Sequence, residues 1–81
     1  MKPDGIKKLR KIFLSVFPHL NDKKLNFDMD RSEFENWDSL THMQLISEIE
    51  SAFNINFDMD EIVDINKPSE LVTLIERKFN G

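Results

Sequence analysis

Cysteine is absent from the 81-residue chain. Its absence excludes disulfide bonds, cysteine-ligated metal sites and catalysis by a thiol of the chain itself. Long apolar runs are absent as well, and the apolar stretch of residues 12–17 is interrupted by Ser15 and stops at Pro18. That stretch is too short for a membrane span and lacks the continuous apolar segment of a signal peptide. We therefore expect a cytoplasmic protein without a membrane span.

Positive charge is scarce in the middle of the chain. Residues 25–66 contain eleven Asp and Glu but one Arg, whereas residues 1–24 contain seven Lys and Arg against two Asp. The acidic middle should repel nucleic acid and attract basic patches on partner proteins, unless it is an ordinary solvated surface. The length allows a single domain, residues 1–81, near the lower limit for folding without disulfides or metals.

The apolar periodicity between Trp37 and Phe53 predicts a helix over residues 39–53. Leu45, Ile46, Ile49 and Phe53 fall on one face of this helix at the 3.6-residue period. Asp38 precedes the helix and should cap it, because its carboxylate can accept from the free N–H groups of the first turn. Ser39 then lies in the first turn, where a phosphate ester would sit at the positive end of the helix dipole.

Three further helices follow from the same periodicity. We expect a first helix over residues 4–17 capped by Asp4, a short helix from Asp58 to about Ile65, and a last helix from Pro68 to about Phe79. The short helix should bury Ile62 and Ile65, with Val63 as a possible third residue. The long connection 18–37 should place its apolar residues over one end of the core. The sequence therefore predicts an all-α, small four-helix bundle with three longer helices and one short helix.

Two other kinds of site are disfavoured by spacing. His42 follows Ser39 by three residues, as in a Ser–His pair on one helix face, but no glycine elbow surrounds Ser39 and Asp38 is poorly placed to orient His42. Asp28 and Asp30 resemble the first ligands of a calcium loop, yet that loop needs glycine at the position of Glu33. We expect no catalytic residues and no metal site.

The triplet Asp38-Ser39-Leu40, placed at the start of an amphipathic helix, resembles the acyl carrier proteins. The likeness continues through residues 45–55, which are similar to the family's second helix and its exit, and through residues 55–65 and 70–72. It covers most of the chain, from the first helix to about Phe79. Three residues recur by chance, whereas the triplet together with the helix pattern, the length and the acidity is far more specific.

The resemblance implies a carrier that is not itself an enzyme. A phosphopantetheinyl transferase would move 4′-phosphopantetheine from coenzyme A onto Ser39, with Asp38 in support. The thiol of this arm would then hold acyl groups as thioesters and present them to acyl-loading and acyl-processing enzymes. The partner surface expected on the second helix consists of Leu40, Met43, Gln44, Ser47, Glu48 and Glu50. We expect a monomer.

Some positions depart from the family pattern and leave alternatives open. Gln44 and Ser51 stand where acids are expected in the carrier of general fatty-acid synthesis, which indicates a specialised fatty-acid or secondary-metabolite type pathway. Trp37 replaces a small residue, and could either seal the preceding loop or touch partners. Met43 could be an exposed contact or a core residue. An aminoacyl or peptidyl carrier, and a helical adaptor that binds through its acidic second helix and carries nothing, both remain open.

Overall fold

The computed structural model describes residues 3–80, with side chains through residue 78. Its elements are helix α1 (Pro3–Val16), a 3₁₀ turn (Arg31–Glu33), and helices α2 (Ser39–Phe53), α3 (Met59–Ile62) and α4 (Pro68–Asn80). No strand occurs between residues 3 and 80. The prediction of an all-α bundle with three longer helices and one short helix is confirmed. None of the described helices is long and apolar enough to cross a membrane.

One hydrophobic core draws on every helix. The helical residues in this core are Leu9, Ile12, Phe13 and Val16 of α1, Leu45, Ile46, Ile49 and Phe53 of α2, Ile62 of α3, and Leu71, Leu74 and Ile75 of α4. These are the apolar stripes that the 3.6-residue period predicts, because residues three and four apart share a helix face. The side chain of Phe79, the expected last residue of the fourth helix, lies outside the described side chains.

The ends of the helices follow local chemistry, with two corrections. α1 begins at Pro3 rather than after Asp4, so Asp4 lies in the first turn instead of capping it; proline suits this position because its missing N–H would be unpaired there. α3 ends at Ile62 rather than near Ile65. Val63, for which burial was considered, is 66% exposed, because the residue after Ile62 points about 100° away around the helix axis.

Four aromatic residues of the core come from the end of α1 and from the connection before α2. The rings of Phe13, Phe17, Phe34 and Trp37, here called the aromatic cluster, have centroids 4.8–6.0 Å apart. Leu25 of the same connection is also buried in the core. The apolar residues of the long connection are therefore packed in the core, as predicted, and Trp37, at 6% exposure, is buried rather than open to partners.

Backbone hydrogen bonds fix this connection to the start of α4. The N–H of Arg31 donates to the carbonyl of Asn66 at 2.6 Å, and the N–H of Ser69 donates to the carbonyl of Phe27 at 2.9 Å. Asp30 caps the 3₁₀ turn, with its carboxylate accepting from the N–H of Ser32 at 3.0 Å. A long loop that satisfies its own backbone groups in this way can hold the residues that follow it in a defined place.

Candidate functional site

Asp38 caps α2 as its residue type predicts. Its Oδ1 accepts a hydrogen bond from the N–H of Thr41 at 2.9 Å, and its carbonyl accepts from the N–H of His42 at 2.8 Å. The bond from the Thr41 N–H holds the pKa of the Asp38 carboxyl below its ordinary value. The capped turn places Ser39 as the first residue of α2, and Ser39 is exposed.

An open pocket of about 390 Å³ lies beside Ser39. Its lining comes from the connection before α2, from the first turns of α2, and from α3 with the residue after it. The lining residues are Arg31, Ser39, His42, Met43, Met59, Asp60, Ile62 and Val63. We call this the Ser39 pocket. A group attached to the exposed hydroxyl would have free space next to it, with apolar walls and a backbone held by the Asp38 cap.

Four large apolar side chains that line this pocket or adjoin Ser39 in the chain face solvent. Leu40 is 82% exposed, Met43 44%, Met59 68% and Val63 66%, and these are the exposed large hydrophobic residues of the described chain. Met43, Met59 and Val63 line the Ser39 pocket, and Leu40 follows Ser39 directly. Exposed apolar residues scattered singly need no explanation, but a group gathered around one site is typical of an interaction surface.

His42 is a buried residue that sequence reasoning missed. It is 6% exposed. Its Nδ1 lies 2.9 Å from the Trp37 indole nitrogen, and its Nε2 lies 2.8 Å from the carbonyl oxygen of Ile62. Because the indole N–H can only donate, Nδ1 must accept, and Nε2 therefore carries the proton that it donates to Ile62. His42 thus ties the connection before α2 to the end of α3.

The ring of His42 is unsuited to act as a base for Ser39. Both of its nitrogens are already engaged by Trp37 and Ile62. Burial lowers its pKa, against a smaller opposing effect of the hydrogen bond with the Ile62 carbonyl, and the nearby Arg31 charge adds to the lowering. Its position could have been inferred, since residue 42 continues the α2 stripe of residues 45, 46, 49 and 53 one turn earlier.

The predicted partner residues of α2 fall into two groups. Leu40, Met43, Gln44 and Ser47 are exposed, whereas Glu48 and Glu50 are half-buried. Oε2 of Glu50 accepts from the N–H of Phe57 at 2.8 Å and so holds the link between α2 and α3. Oε2 of Glu48 is buried without a hydrogen-bond partner among the described residues. A role for all six in partner binding stays a prediction.

Fold and site together define a small helical bundle that presents one serine hydroxyl at the start of a capped helix. The family described as "phosphopantetheine attachment site" matches residues 7–75, which is most of the chain, and the protein belongs to that family. Members of this family are non-catalytic carriers with a covalently attached 4′-phosphopantetheine group, and they work with a transferase and with acyl-processing enzymes. A search of curated proteins finds no match.

The residues around Ser39 fit such a group. The hydroxyl is exposed, the pocket beside it is open, and the start of a 15-residue helix favours the negative charge of a phosphate. When bound, the group supplies a thiol on a flexible tether, which the cysteine-free chain does not itself contain.

Proposed function

We propose that the protein is an acyl carrier protein and that Ser39 bears its 4′-phosphopantetheine arm. The observation that supports this most is the exposed Ser39 at the start of α2, with exposed apolar residues in the pocket beside it and at the next position of the chain. In loading, the Ser39 Oγ–P bond forms and the bond between this phosphorus and the nucleotide half of coenzyme A breaks. The nucleotide leaves as its bisphosphate, and the hydroxyl proton passes to a base of the transferase.

The surface around Ser39 supports a role in presenting a cargo to enzymes. Met43 on α2 lines the same pocket as Met59 and Val63, and Leu40, which follows Ser39 in the chain, is exposed. An enzyme that accepts the arm would therefore bury apolar area close to the attachment point. Gln44 and Ser47 extend this surface along α2, and Glu48 and Glu50 would orient basic partner residues from its edge. Charged pairs at an interface rim steer encounter and fix orientation more than they add affinity.

Loading by a transferase tests the attachment site. The apo protein is incubated with coenzyme A and a broad-specificity phosphopantetheinyl transferase, and its intact mass is measured. We expect a gain of one phosphopantetheine group, no gain for Ser39→Ala, and a full gain for Ser51→Ala, which alters an exposed serine at the far end of the same helix. An unchanged mass of the wild-type chain would favour a helical adaptor that carries nothing.

The class of cargo is a separate question. We infer an acyl group of a specialised fatty-acid or secondary-metabolite type pathway, because Asp38 precedes the serine and because Gln44 and Ser51 replace acids on α2. Cleavage of the thioester by hydroxylamine, in protein isolated with its cargo, releases a hydroxamate whose mass identifies the carried group. A hydroxamate of an amino acid or peptide would contradict the acyl carrier assignment and identify an aminoacyl or peptidyl carrier.

A further inference from the structure

The single cation of the acidic middle of the chain lies in the Ser39 pocket. Residues 25–66 contain eleven Asp and Glu and no Lys, and their only Arg is Arg31. Arg31 lines the pocket together with Ser39, and among the described residues no other Lys or Arg does so. The other charged residues near the Ser39 hydroxyl are acidic. Asp38 precedes Ser39 in the chain, and Asp60 lines the pocket.

The guanidinium of Arg31 is held in place but not neutralised. Its Nε donates to the carbonyl of Trp37 at 3.0 Å, and its central carbon lies 5.7 Å from the centroid of the Trp37 ring. Trp37 precedes Ser39 by two residues, so this contact anchors the cation next to the start of α2. The two terminal nitrogens form no hydrogen bond or ion pair with the described residues, and the side chain is half-buried.

Arg10 shows what a satisfied arginine looks like in this protein. Its guanidinium also lies over an aromatic ring, 5.8 Å from the centroid of Phe27. Unlike Arg31, it donates from Nε and Nη2 to the Asp22 carboxylate at 3.0 and 2.9 Å. Both guanidinium groups lie over an aromatic ring. Arg10 also binds a carboxylate, whereas Arg31 binds none among residues 3–78.

A phosphodiester on Ser39 would supply that anion. It adds a negative charge beside the Asp38 carboxylate, in a part of the chain that is already strongly acidic. The planar, permanently charged guanidinium suits phosphate oxygens, because it offers parallel N–H donors. We propose that Arg31 is the positioning residue that binds the phosphodiester of the arm on Ser39 and offsets its charge. This inference rests on the attachment of the arm to Ser39.

Side-chain NMR of the apo and loaded proteins tests the contact without any assay of cargo transfer. In ¹H–¹⁵N spectra of the arginine side chains, loading should shift the resonances of Arg31 and leave those of Arg10 in place. The ³¹P resonance of the phosphodiester should move in Arg31→Gln relative to wild type, and should stay at its wild-type position in Arg10→Gln.

The folding equilibrium gives a second readout. The quantity to compare is the folding equilibrium constant of the loaded protein divided by that of the apo protein. We expect this ratio to be about two- to fivefold smaller in Arg31→Gln than in wild type at low salt, as for an exposed ion pair. In Arg31→Lys the ratio should recover partly. Arg10→Gln should lower the folding constants of the loaded and apo proteins by the same factor and leave their ratio unchanged. High salt should reduce the difference between Arg31→Gln and wild type.

The two hypotheses fail in different ways. If the chain gains the mass of the arm but the Arg31 resonances do not move on loading, the role of Arg31 is refuted and the attachment at Ser39 stands. If Ser39 is never loaded, both are refuted. Should Arg31→Gln fail to fold, the comparison of wild-type Arg31 and Arg10 resonances still decides the question.

Discussion

The aromatic cluster and the exposed apolar residues at the Ser39 pocket are opposite in their exposure to solvent. The four ring centroids of the cluster lie within 6.0 Å of one another, and no residue of the cluster is more than 7% exposed. The four apolar side chains that line the pocket or adjoin Ser39 are 44–82% exposed. Both groups contain four large apolar residues, and the hydrogen bond from Trp37 to His42 connects the cluster to the pocket, which His42 lines. The cluster removes apolar area from water and so stabilises the fold. The residues around the pocket contribute little to folding, and their apolar area remains free for a partner.

Buried residues that stabilise the fold and exposed residues at the attachment site lie within a few positions of each other in the chain. Trp37 ends the cluster, Asp38 caps α2, and Ser39 and Leu40 already face solvent. A carrier needs both properties side by side, because the attachment point must be accessible while the helix that presents it must not unravel. Substitutions on the two sides should therefore differ sharply in their effect on stability.

The largest loss of stability should come from Phe13→Ala. Phe13 is fully buried and contacts Phe17, Phe34 and Trp37, so the variant loses transfer free energy and leaves a cavity. We expect the free energy of unfolding to fall by about 3–5 kcal/mol, a large share of the roughly 5–15 kcal/mol typical of a domain. Denaturant unfolding of the apo protein measures this.

Met59→Ala is the matched control for that variant. It also truncates a large apolar side chain, but one that is 68% exposed beside the Ser39 pocket, and it should change the free energy of unfolding by no more than about 0.5 kcal/mol. Equal losses for the two variants would contradict the division between the cluster and the pocket.

A smaller effect is expected at the junction, where His42 makes stability depend on pH. Burial lowers the pKa of His42 in the folded state, so the unfolded chain binds a proton more readily. Stability should then be present above the ordinary histidine pKa of about 6.5 and fall as pH drops below it, with a slope of up to about 1.4 kcal/mol per pH unit. Protonation of His42 would also place an N–H at Nδ1 facing the indole N–H of Trp37, so that the hydrogen bond between them would be lost.

Denaturant unfolding measured between pH 5 and 8 gives the dependence of stability on pH in the range where histidine titrates, above the usual range of the carboxylates. His42→Gln should flatten the curve in this window, because an amide can accept from Trp37 and donate to Ile62 without titrating. His19→Gln, which alters an exposed residue after α1, should keep the wild-type slope. A slope that survives in His42→Gln would place its origin elsewhere.

Periodicity predicted the helices and the core because burial follows the 3.6-residue stripe in each of them. α2 runs over residues 39–53 as predicted, with Asp38 at its start and Asn54 in the left-handed conformation at its end (φ 56°, ψ 49°). These features are local, since a cap depends on residues within one turn. The exposure of Ser39 follows from the same local rule.

Other parts of the site depend on contacts between residues far apart in the chain. The placement of Arg31 needs the hydrogen bond to Asn66 and the contact with Trp37, and the burial of His42 needs the Ile62 carbonyl of α3. Met59 and Val63 come to the pocket only through the packing of α3. Single-sequence patterns do not encode the pairings of Arg31, Met59 and Val63, so these three residues were absent from the predicted site. For His42, the α2 stripe indicates burial but not the partner on α3.

The smallest effect on stability is expected from Leu40→Ala. Leu40 is 82% exposed, and the free energy of unfolding should change by no more than about 0.5 kcal/mol. Leu45→Ala on the same helix removes a side chain that is 0% exposed and should cost about 2–5 kcal/mol. If Leu40 serves partners, its variant should instead be loaded less efficiently by the transferase, as followed by intact mass over time. A Leu40→Ala variant that is as stable as wild type and is loaded just as fast would remove Leu40 from the partner surface, while one that unfolds like Leu45→Ala would show that this end of α2 is packed rather than open.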